Sequence, residues 1–186
     1  MEKKDLKPAG VFKYFEEICQ VPRPSKKEEK MIAYLKAFGA KHNLETKVDE
    51  AGNVLIKKPA TPGKENLQTV VLQSHIDMVC EKNNDVQHDF LTDPIETEID
   101  GEWLKAKGTT LGADNGIGVA TELAILADDS IEHGPLECLF TVDEETGLTG
   151  AFALQEGFMS GDILLNLDSE DEGEIFILSL IHISEP

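Results

Sequence analysis

Two amphipathic helices are predicted near the start of the chain. The first covers residues 8–19, and its apolar side chains at helical spacing are Val11, Phe12, Phe15 and Ile18. Prolines between residues 21 and 24 end it, because proline disrupts a helix interior. Ser25 and Glu28 then have the spacing of a capping box, so a second helix is predicted to begin at Ser25. Its core stripe consists of Met31, Ile32, Leu35 and Phe38.

Strands and helices alternate along the remainder of the chain. Strands are predicted at residues 46–49, 53–57, 69–77, 136–142 and 163–167, a hairpin at 95–106, and helices at 117–127 and 149–155. The hairpin turns at Asp100-Gly101, a dipeptide suited to tight turns with positive φ. This alternation predicts an α/β fold with a mixed, largely parallel sheet flanked by helices.

The strand at residues 69–77, TVVLQSHID, ends in a histidine and an aspartate. On an extended backbone, residues i and i+2 point to the same side, so His75 and Asp77 leave the strand together. The second ring nitrogen of a metal-binding imidazole is usually held by a carboxylate or a carbonyl, which fixes the tautomer. The pair therefore suits a metal ligand and its orienting partner, although an ordinary surface pair has the same sequence.

Further acidic residues stand next to predicted elements in the same way. Asp114 precedes a helix in LGADNG, Asp143, Glu144 and Glu145 follow the strand LECLFTV, and Asp168 ends the strand ILLNL. Sites in open α/β sheets form at the carboxyl ends of strands, so these side chains are expected to converge with His75. Each also has an ordinary interpretation, as a helix cap, an acidic turn and a plain strand end respectively.

A convergence of carboxylates implies a cation. Like charges in a partly dry site cannot all remain ionised, and a divalent metal removes that penalty. One imidazole with several carboxylates suits zinc, manganese or cobalt. Glu144 and Glu145 are adjacent and are able to divide the work of metal-assisted hydrolysis, one as a metal ligand and its neighbour as the general base.

Composition describes a globular protein of moderate size, with 186 residues, 40% hydrophobic and 28% charged. The net charge of −19 is unevenly placed, since residues 1–68 carry 14 basic and 10 acidic side chains and residues 69–186 carry 3 and 26. Such acidity disfavours nucleic acid and anionic membranes as partners. It fits either solubility or a cation site.

Cysteine usage and apolar runs predict a cytoplasmic protein. Cys19, Cys80 and Cys138 are few, odd in number and without a CxxC motif, which argues against a disulfide scaffold and against a cysteine-based zinc site. The first ten residues lack the apolar core of a signal peptide. The longest apolar-rich run, residues 175–183, is too short to cross a bilayer.

Four segments of the sequence resemble one enzyme family. They are VLQSHIDMVCEKN, DPIETEIDGEWLKAKGTTLGADNGIGVA, HGPLECLFTVDEETGLTGA and LLNLDSEDEGEIFI, within a resemblance that runs from residue 8 to residue 177. The family is that of the aminoacyl-histidine (Xaa-His) dipeptidases, a branch of the co-catalytic zinc peptidases that also include carboxypeptidase G, aminoacylase and peptidase T. The long middle segments are specific to this branch, whereas His-x-Asp and Glu-Glu indicate only the wider group.

The resemblance implies a role for each candidate residue. It implies that His75 and Asp168 bind one zinc ion, Asp114 bridges two, Glu145 binds the second, Asp77 orients His75 and Glu144 is the general base. The implied reaction is hydrolysis of Xaa-His and other dipeptides through a metal-bridged hydroxide. The implied cofactors are two Zn²⁺, with Co²⁺ or Mn²⁺ as substitutes, and the implied assembly is a homodimer formed through a lid domain.

The family pattern is longer than this chain. Residues 1–177 are expected to be the N-terminal part of the catalytic domain, and residues 178–186, LSLIHISEP, a non-native tail. The lid and dimerisation domain, the rest of the catalytic domain and a late histidine ligand of the second zinc have no counterpart here, so the fragment alone is expected to be inactive. A tripeptidase, an N-acyl amino acid deacylase and a non-catalytic cation-binding acidic module remain as alternatives.

Overall fold

The computed structural model describes residues 2–169. In chain order its elements are a short 3₁₀ helix (Lys3–Asp5), α1 (Ala9–Cys19), α2 (Glu29–Lys41), β1 (Glu45–Val48), β2 (Val54–Lys58), β3 (Val70–His75), β4 (Thr97–Asp100), β5 (Trp103–Ala106), α3 (Ala113–Ala127), β6 (Leu136–Thr141), α4 (Thr149–Ala153) and β7 (Ile163–Asn166). Every predicted helix and strand is present, with shifted ends, and the 3₁₀ helix is additional. The tail predicted at residues 178–186 lies outside the described residues.

The five-stranded sheet has the strand order β1-β2-β6-β3-β7. β2 pairs antiparallel with β1 and with β6, whereas β3 pairs parallel with β6 and with β7. This confirms the predicted mixed sheet. Because parallel strands end at one edge, the residues that follow β3, β6 and β7 arrive at the same place. β4 and β5 form a separate hairpin.

Helices α1, α2 and α3 cover one face of the sheet. Apolar side chains from both layers form the main core there, among them Phe15, Ile18, Met31, Leu35, Ile56, Leu72, Val119, Leu123 and Phe140. On the opposite face, Leu55, Val71 and Leu139 form a smaller cluster under Leu154, Phe158 and Met159. Strand β7, at the edge of the sheet, leaves Ile163, Leu164 and Leu165 between 40% and 48% exposed.

The predicted start of the second helix is wrong. α2 begins at Glu29, and Glu28 occupies its cap position without a side-chain cap hydrogen bond. Ser25 Oγ instead donates to Asp77 Oδ2 at 2.7 Å. Glu28 Oε1 accepts from the backbone N–H of Asp143 at 3.0 Å. The two side chains with capping-box spacing therefore make tertiary contacts, and the backbone between them is not helical.

The cysteines, the helices and the apolar side chains each bear on the sequence predictions. Cys19 and Cys138 are buried, Cys80 is half-buried, and all three are free thiols. Within residues 2–169, no helix combines the length and the apolar character needed to span a membrane. Many apolar side chains of this part of the chain pack between the helices and the sheet, whereas those of β7, Trp103 and Phe152 are among the exposed ones.

Candidate metal centre

His75 is the last residue of β3 and is only 1% exposed. Its Nδ1 lies 3.2 Å from Asp77 Oδ1, and its Nε2 lies 2.9 Å from Asp114 Oδ1. Burial lowers the pKa of His75, but the hydrogen bonds to Asp77 and Asp114 outweigh burial and raise the pKa to about 9. Both ring nitrogens therefore face carboxylates, with Nε2 directed toward the more exposed one.

Asp77 is fully buried and surrounded by donors. Oδ1 accepts from the backbone N–H of Glu144 at 3.0 Å, while Oδ2 accepts from Ser25 Oγ at 2.7 Å and from the N–H of Glu145 at 3.2 Å. Burial raises the pKa of Asp77, but the hydrogen bonds from His75, Ser25 and the Glu144 backbone lower it to about 2. Asp77 is thus a charged carboxylate that holds both His75 and the loop after β6.

Asp114 reaches the site from the start of α3. Gly112 precedes it at the cap position with φ of +68°, a conformation that glycine adopts without strain. The backbone at Asp114 and Asn115 is non-helical, and the peptide bond between them is cis. Within residues 2–169 the Asp114 carboxylate hydrogen-bonds to His75 Nε2 and to no backbone N–H of α3, so the interpretation of Asp114 as a helix cap is wrong. The carboxylate turns toward His75 instead and is 63% exposed.

Asp168 follows β7 and lies on the same side of the imidazole as Asp114. Its Oδ1 is 3.8 Å from His75 Nε2. Asn115 Nδ2 donates to this oxygen and also to the carbonyl of Leu167 at 3.1 Å. Asn115 is buried, and its own Oδ1 has no hydrogen-bond partner within the described part of the chain. Asn115 therefore ties the start of α3 to the end of β7 and holds Asp168 in place.

The loop after β6 presents Glu144 and Glu145. Asp143 turns the chain with φ of +49°, and its Oδ1 accepts from Thr146 Oγ1 at 2.6 Å. Glu144 Oε2 comes within 3.9 Å of His75 Nε2, and its side chain is 29% exposed. The backbone N–H groups of Glu144 and Glu145 donate to the Asp77 carboxylate, which holds the backbone of this loop in place.

Electrostatics at the site favour added positive charge. Burial raises the pKa of Glu144, and Asp168 and Glu145 raise it further against the opposing effect of His75. Burial also raises the pKa of Glu145, with Asp114 and Asp77 adding to it against His75. The neighbouring carboxylates thus make Glu144 and Glu145 harder to ionise, a penalty that a bound cation removes.

The predicted residues converge to different degrees. His75, Asp114 and Asp168 each offer a ligand atom, and these atoms lie within 4.8 Å of one another. One nitrogen and several oxygen donors fit a borderline metal such as zinc, manganese or cobalt. Glu144 is adjacent to this group. Glu145 lies outside the tight group but close enough to Asp114 for their charges to interact.

Four residues at the site were not predicted from the sequence. Arg23, Ser25, Glu28 and Asn115 all hold predicted site residues or their backbone in place. A second group of close carboxylates, Glu28, Asp77 and Asp143, is buried and accepts hydrogen bonds from backbone N–H groups and hydroxyls. The sequence offered a signal only for Asn115, which follows Asp114 directly. The others are distant in sequence, and only the fold brings them to the site.

Known proteins share this sequence and fold. Residues 71–186 match the profile of peptidase family M20/M25/M40. The chain is 52% identical over 176 residues to the cytosol non-specific dipeptidase of Escherichia coli, an alignment that covers 95% of this chain and 36% of that protein. The resemblance found in the motifs is therefore confirmed over nearly the whole chain.

Solved structures agree with the sequence matches. The aminoacylhistidine dipeptidase of Vibrio alginolyticus superposes with a TM-score of 0.90 at 56% identity, over 93% of this chain and 35% of that one. Aminopeptidase PepT of Bacillus cereus superposes with a TM-score of 0.74 at 26% identity, over 87% of this chain and 43% of that one. This chain spans little more than a third of the length of the two dipeptidases. Its sequence and its fold together establish that it belongs to peptidase family M20/M25/M40.

Proposed function

We propose that the complete protein containing this chain is a metal-dependent dipeptidase that hydrolyses Xaa-His and other dipeptides. The observation that carries the proposal is the approach of Asp114 and Asp168 to one buried imidazole nitrogen of His75, at 2.9 Å and 3.8 Å, with Glu144 3.9 Å away. Separate strands and a helix supply these groups, and a fold has little structural reason to gather them. The names of the two dipeptidase relatives supply the substrate class.

The donor set fits two dications. His75, Asp114 and Asp168 would hold the first ion, and Asp114 and Glu145 would contribute to the second. Zinc is the proposed metal, with cobalt or manganese as substitutes, because the donors are one imidazole and several carboxylates. When bound, the ions would supply Lewis acidity, which lowers the pKa of water so that it can be deprotonated near neutral pH and polarises the peptide carbonyl.

The protein residues supply the proton chemistry. Glu144 accepts a proton at Oε2 from the attacking water and returns it to the leaving amine, as a general base and then a general acid. The pKa of Glu144 is raised by burial and by its acidic neighbours, which makes the carboxylate a stronger base for this exchange. Asp77 orients His75 by accepting from Nδ1, which leaves Nε2 as the ring nitrogen that would bind a metal.

The remaining parts of the proposal concern the whole protein. Because this chain spans about a third of the dipeptidase relatives, we place the last ligand of the second ion, the lid and the homodimer contact in segments beyond it. The exposed apolar side chains of β7 offer an edge that further protein can cover. Residues 1–186 alone are expected to bind metal weakly and to be inactive. The relative from Escherichia coli suggests the cytoplasm as the location.

A hydrolysis assay tests the proposal. The complete protein, loaded with zinc or cobalt, should cleave Xaa-His dipeptides, and a chelator such as EDTA should abolish turnover until metal is restored. A panel that adds tripeptides and N-acyl amino acids separates a dipeptidase from the tripeptidase and deacylase alternatives. If the metal-loaded protein cleaves no member of the panel, the chain is a non-catalytic cation-binding module and the proposal is wrong.

A further inference from the structure

Arg23 is a buried cation that serves the backbone of the site. It is 2% exposed, and its guanidinium donates from Nη1 to the carbonyls of Ile76 and Asp77, both at 3.0 Å. Nη2 donates to the carbonyl of Gly112 at 2.5 Å. The first two carbonyls follow His75, and the third precedes Asp114 by two residues. One side chain therefore joins the end of β3 to the start of α3.

The surroundings of Arg23 are shaped to admit it. A Cβ added at Gly112 would lie 2.6 Å from Arg23 Nη2, and one added at Gly116 would lie 2.7 Å from it. Both distances are shorter than any normal contact of a Cβ atom, so the absence of side chains at these glycines leaves the space that the guanidinium fills. Among the described residues, no carboxylate forms an ion pair with Arg23, which is satisfied by carbonyl oxygens instead.

Two residues close to Arg23 in sequence, Ser25 and Glu28, contact Asp77 and the loop after β6. Ser25 Oγ donates to Asp77 Oδ2 at 2.7 Å, and Glu28 accepts from the N–H of Asp143 at 3.0 Å, at the start of the loop that carries Glu144 and Glu145. The Arg23–Glu28 segment thus contacts the residues after β3, before α3 and after β6. Each of these three stretches lies within two residues of a proposed ligand or of the proposed base: His75, Asp114 and Glu144 respectively.

We infer that the side chains of Arg23, Ser25 and Glu28 set the spacing of the metal ligands, with Arg23 as the positioning residue that fixes His75 relative to Asp114. The inference rests on the proposed function, since it concerns ligands of the proposed ions. A planar guanidinium can donate to three carbonyls in a fixed fork, whereas a lysine ammonium is a compact charge on a flexible stem. The spacing therefore depends on the shape of the side chain and not only on its charge.

The test uses the complete protein with Arg23→Lys and Arg23→Ala, and with Lys27→Gln as a matched control. Lys27 is exposed and lies in the same segment, so its replacement removes a charge without touching the site. Titration with Co²⁺ alone gives the affinity, and the visible absorption of bound cobalt reports the ligand geometry. Both Arg23 variants should lose at least tenfold in Co²⁺ affinity and show altered cobalt bands, with kcat falling more than KM rises. Lys27→Gln should match the wild type.

Chemical rescue separates positioning from general stability. Low millimolar guanidinium chloride should restore part of the Co²⁺ affinity of Arg23→Ala, and sodium chloride at equal ionic strength should not. The inference is overturned if a folded Arg23→Lys binds Co²⁺ with wild-type affinity and wild-type bands. If both Arg23 variants fail to fold, Ser25→Ala decides, with a several-fold loss of affinity supporting the inference and unchanged binding rejecting it. A wild-type protein that binds no Co²⁺ rejects the proposed function as well, which distinguishes the two failures.

Discussion

The side chain on which the site depends most is the buried Asp77 carboxylate. It accepts hydrogen bonds from the imidazole of His75, the hydroxyl of Ser25 and the backbone N–H groups of Glu144 and Glu145. Burial of a carboxylate charge costs free energy unless hydrogen-bond donors compensate for the lost water. With these donors the carboxylate is held in one orientation and can orient its neighbours. The imidazole and the acidic loop are therefore oriented by the same group, and their relative position does not depend on exposed side chains.

At Glu144, replacement by glutamine removes the proposed base and keeps the side-chain volume. We expect kcat of Glu144→Gln to fall about 10²- to 10⁴-fold, the usual contribution of a general base, because the amide cannot take up a proton. Metal content should stay at the wild-type level, since Glu144 is not a proposed ligand. Steady-state kinetics and metal analysis of the complete protein check both parts.

The neighbouring glutamate provides the contrast for this experiment. Glu145→Gln should lower the affinity for metal, because Glu145 is a proposed ligand, and activity should recover at least in part when metal is added in excess. Added metal should not rescue Glu144→Gln. If Glu144→Gln keeps more than a tenth of wild-type kcat, Glu144 is not the base.

For individual side chains, the sequence predicts a contact correctly where the two partners are close together along the chain. The i, i+2 geometry of an extended strand is enough to pair His75 with Asp77, and His75 Nδ1 lies 3.2 Å from Asp77 Oδ1 in the structure. The prediction failed at Ser25 and Glu28, whose spacing satisfies the capping-box pattern but whose partners lie 52 and 115 residues away. A local pattern cannot reveal that a tertiary partner competes for the same side chain.

Among the elements, α3 matters most for the site, because its first turn carries Asp114 and Asn115. The pattern of apolar residues predicted its body but placed its start at residue 117, since a strongly non-helical backbone at the first residues has no signature in hydrophobic periodicity. Its other end is held by Lys58 on β2, whose Nζ donates to the carbonyls of Ile125 and Asp128 at 3.2 Å and 2.8 Å. The helix is thus fixed at both ends.

Removal of the Lys58 amine should therefore destabilise the protein. Lys58 is buried, and Lys58→Met keeps its length while leaving the last carbonyls of α3 without their charged donor. We expect a loss of about 1–3 kcal/mol in the free energy of unfolding. Urea-induced unfolding followed by circular dichroism measures it.

Lys64 offers a matched control for this change. Its side chain is 37% exposed, and its Nζ pairs with Glu132 at 3.1 Å, so Lys64→Met removes the same charge from a more exposed position. Its effect should stay within about 0.5 kcal/mol, as is usual for exposed ion pairs. Equal effects of the two substitutions would show that the contacts of Lys58 with α3 contribute little.

For the whole molecule, the sheet separates two electrostatic environments. The carboxyl ends of β3, β6 and β7 carry the acidic site, whereas the amino end of β6 carries a closed network around Glu137. Composition predicted the excess of negative charge but not this division, because the positions of charges in space depend on strand order. In the order β1-β2-β6-β3-β7, β2 pairs antiparallel with β6, and this pairing places Lys57 directly opposite Glu137. Acidic residues on one sheet thus titrate in very different surroundings.

Glu137 should make stability depend on pH. Its Oε1 accepts from Lys57 Nζ at 2.5 Å and from Ser160 Oγ at 2.6 Å, and its Oε2 accepts from the Ser160 N–H at 2.7 Å. Burial raises the pKa of Glu137, but these partners outweigh burial and lower it below the ordinary value of 4.5. A carboxylate whose pKa is lower in the folded than in the unfolded state stabilises the fold above the unfolded pKa. That stabilisation disappears as pH falls through the folded pKa.

Glu137→Gln should consequently reduce the free energy of unfolding by about 1–3 kcal/mol at pH 7, and the difference from the wild type should shrink as pH falls below 4.5. Urea unfolding at a series of pH values between 7 and about 3 measures the convergence. Glu156→Gln is the control, because Glu156 is an exposed acid, and its curve should follow the wild type at every pH. A Glu137→Gln difference that stays constant with pH would mean that the lost packing and hydrogen-bond geometry, and not the carboxylate charge, account for the stability of this network.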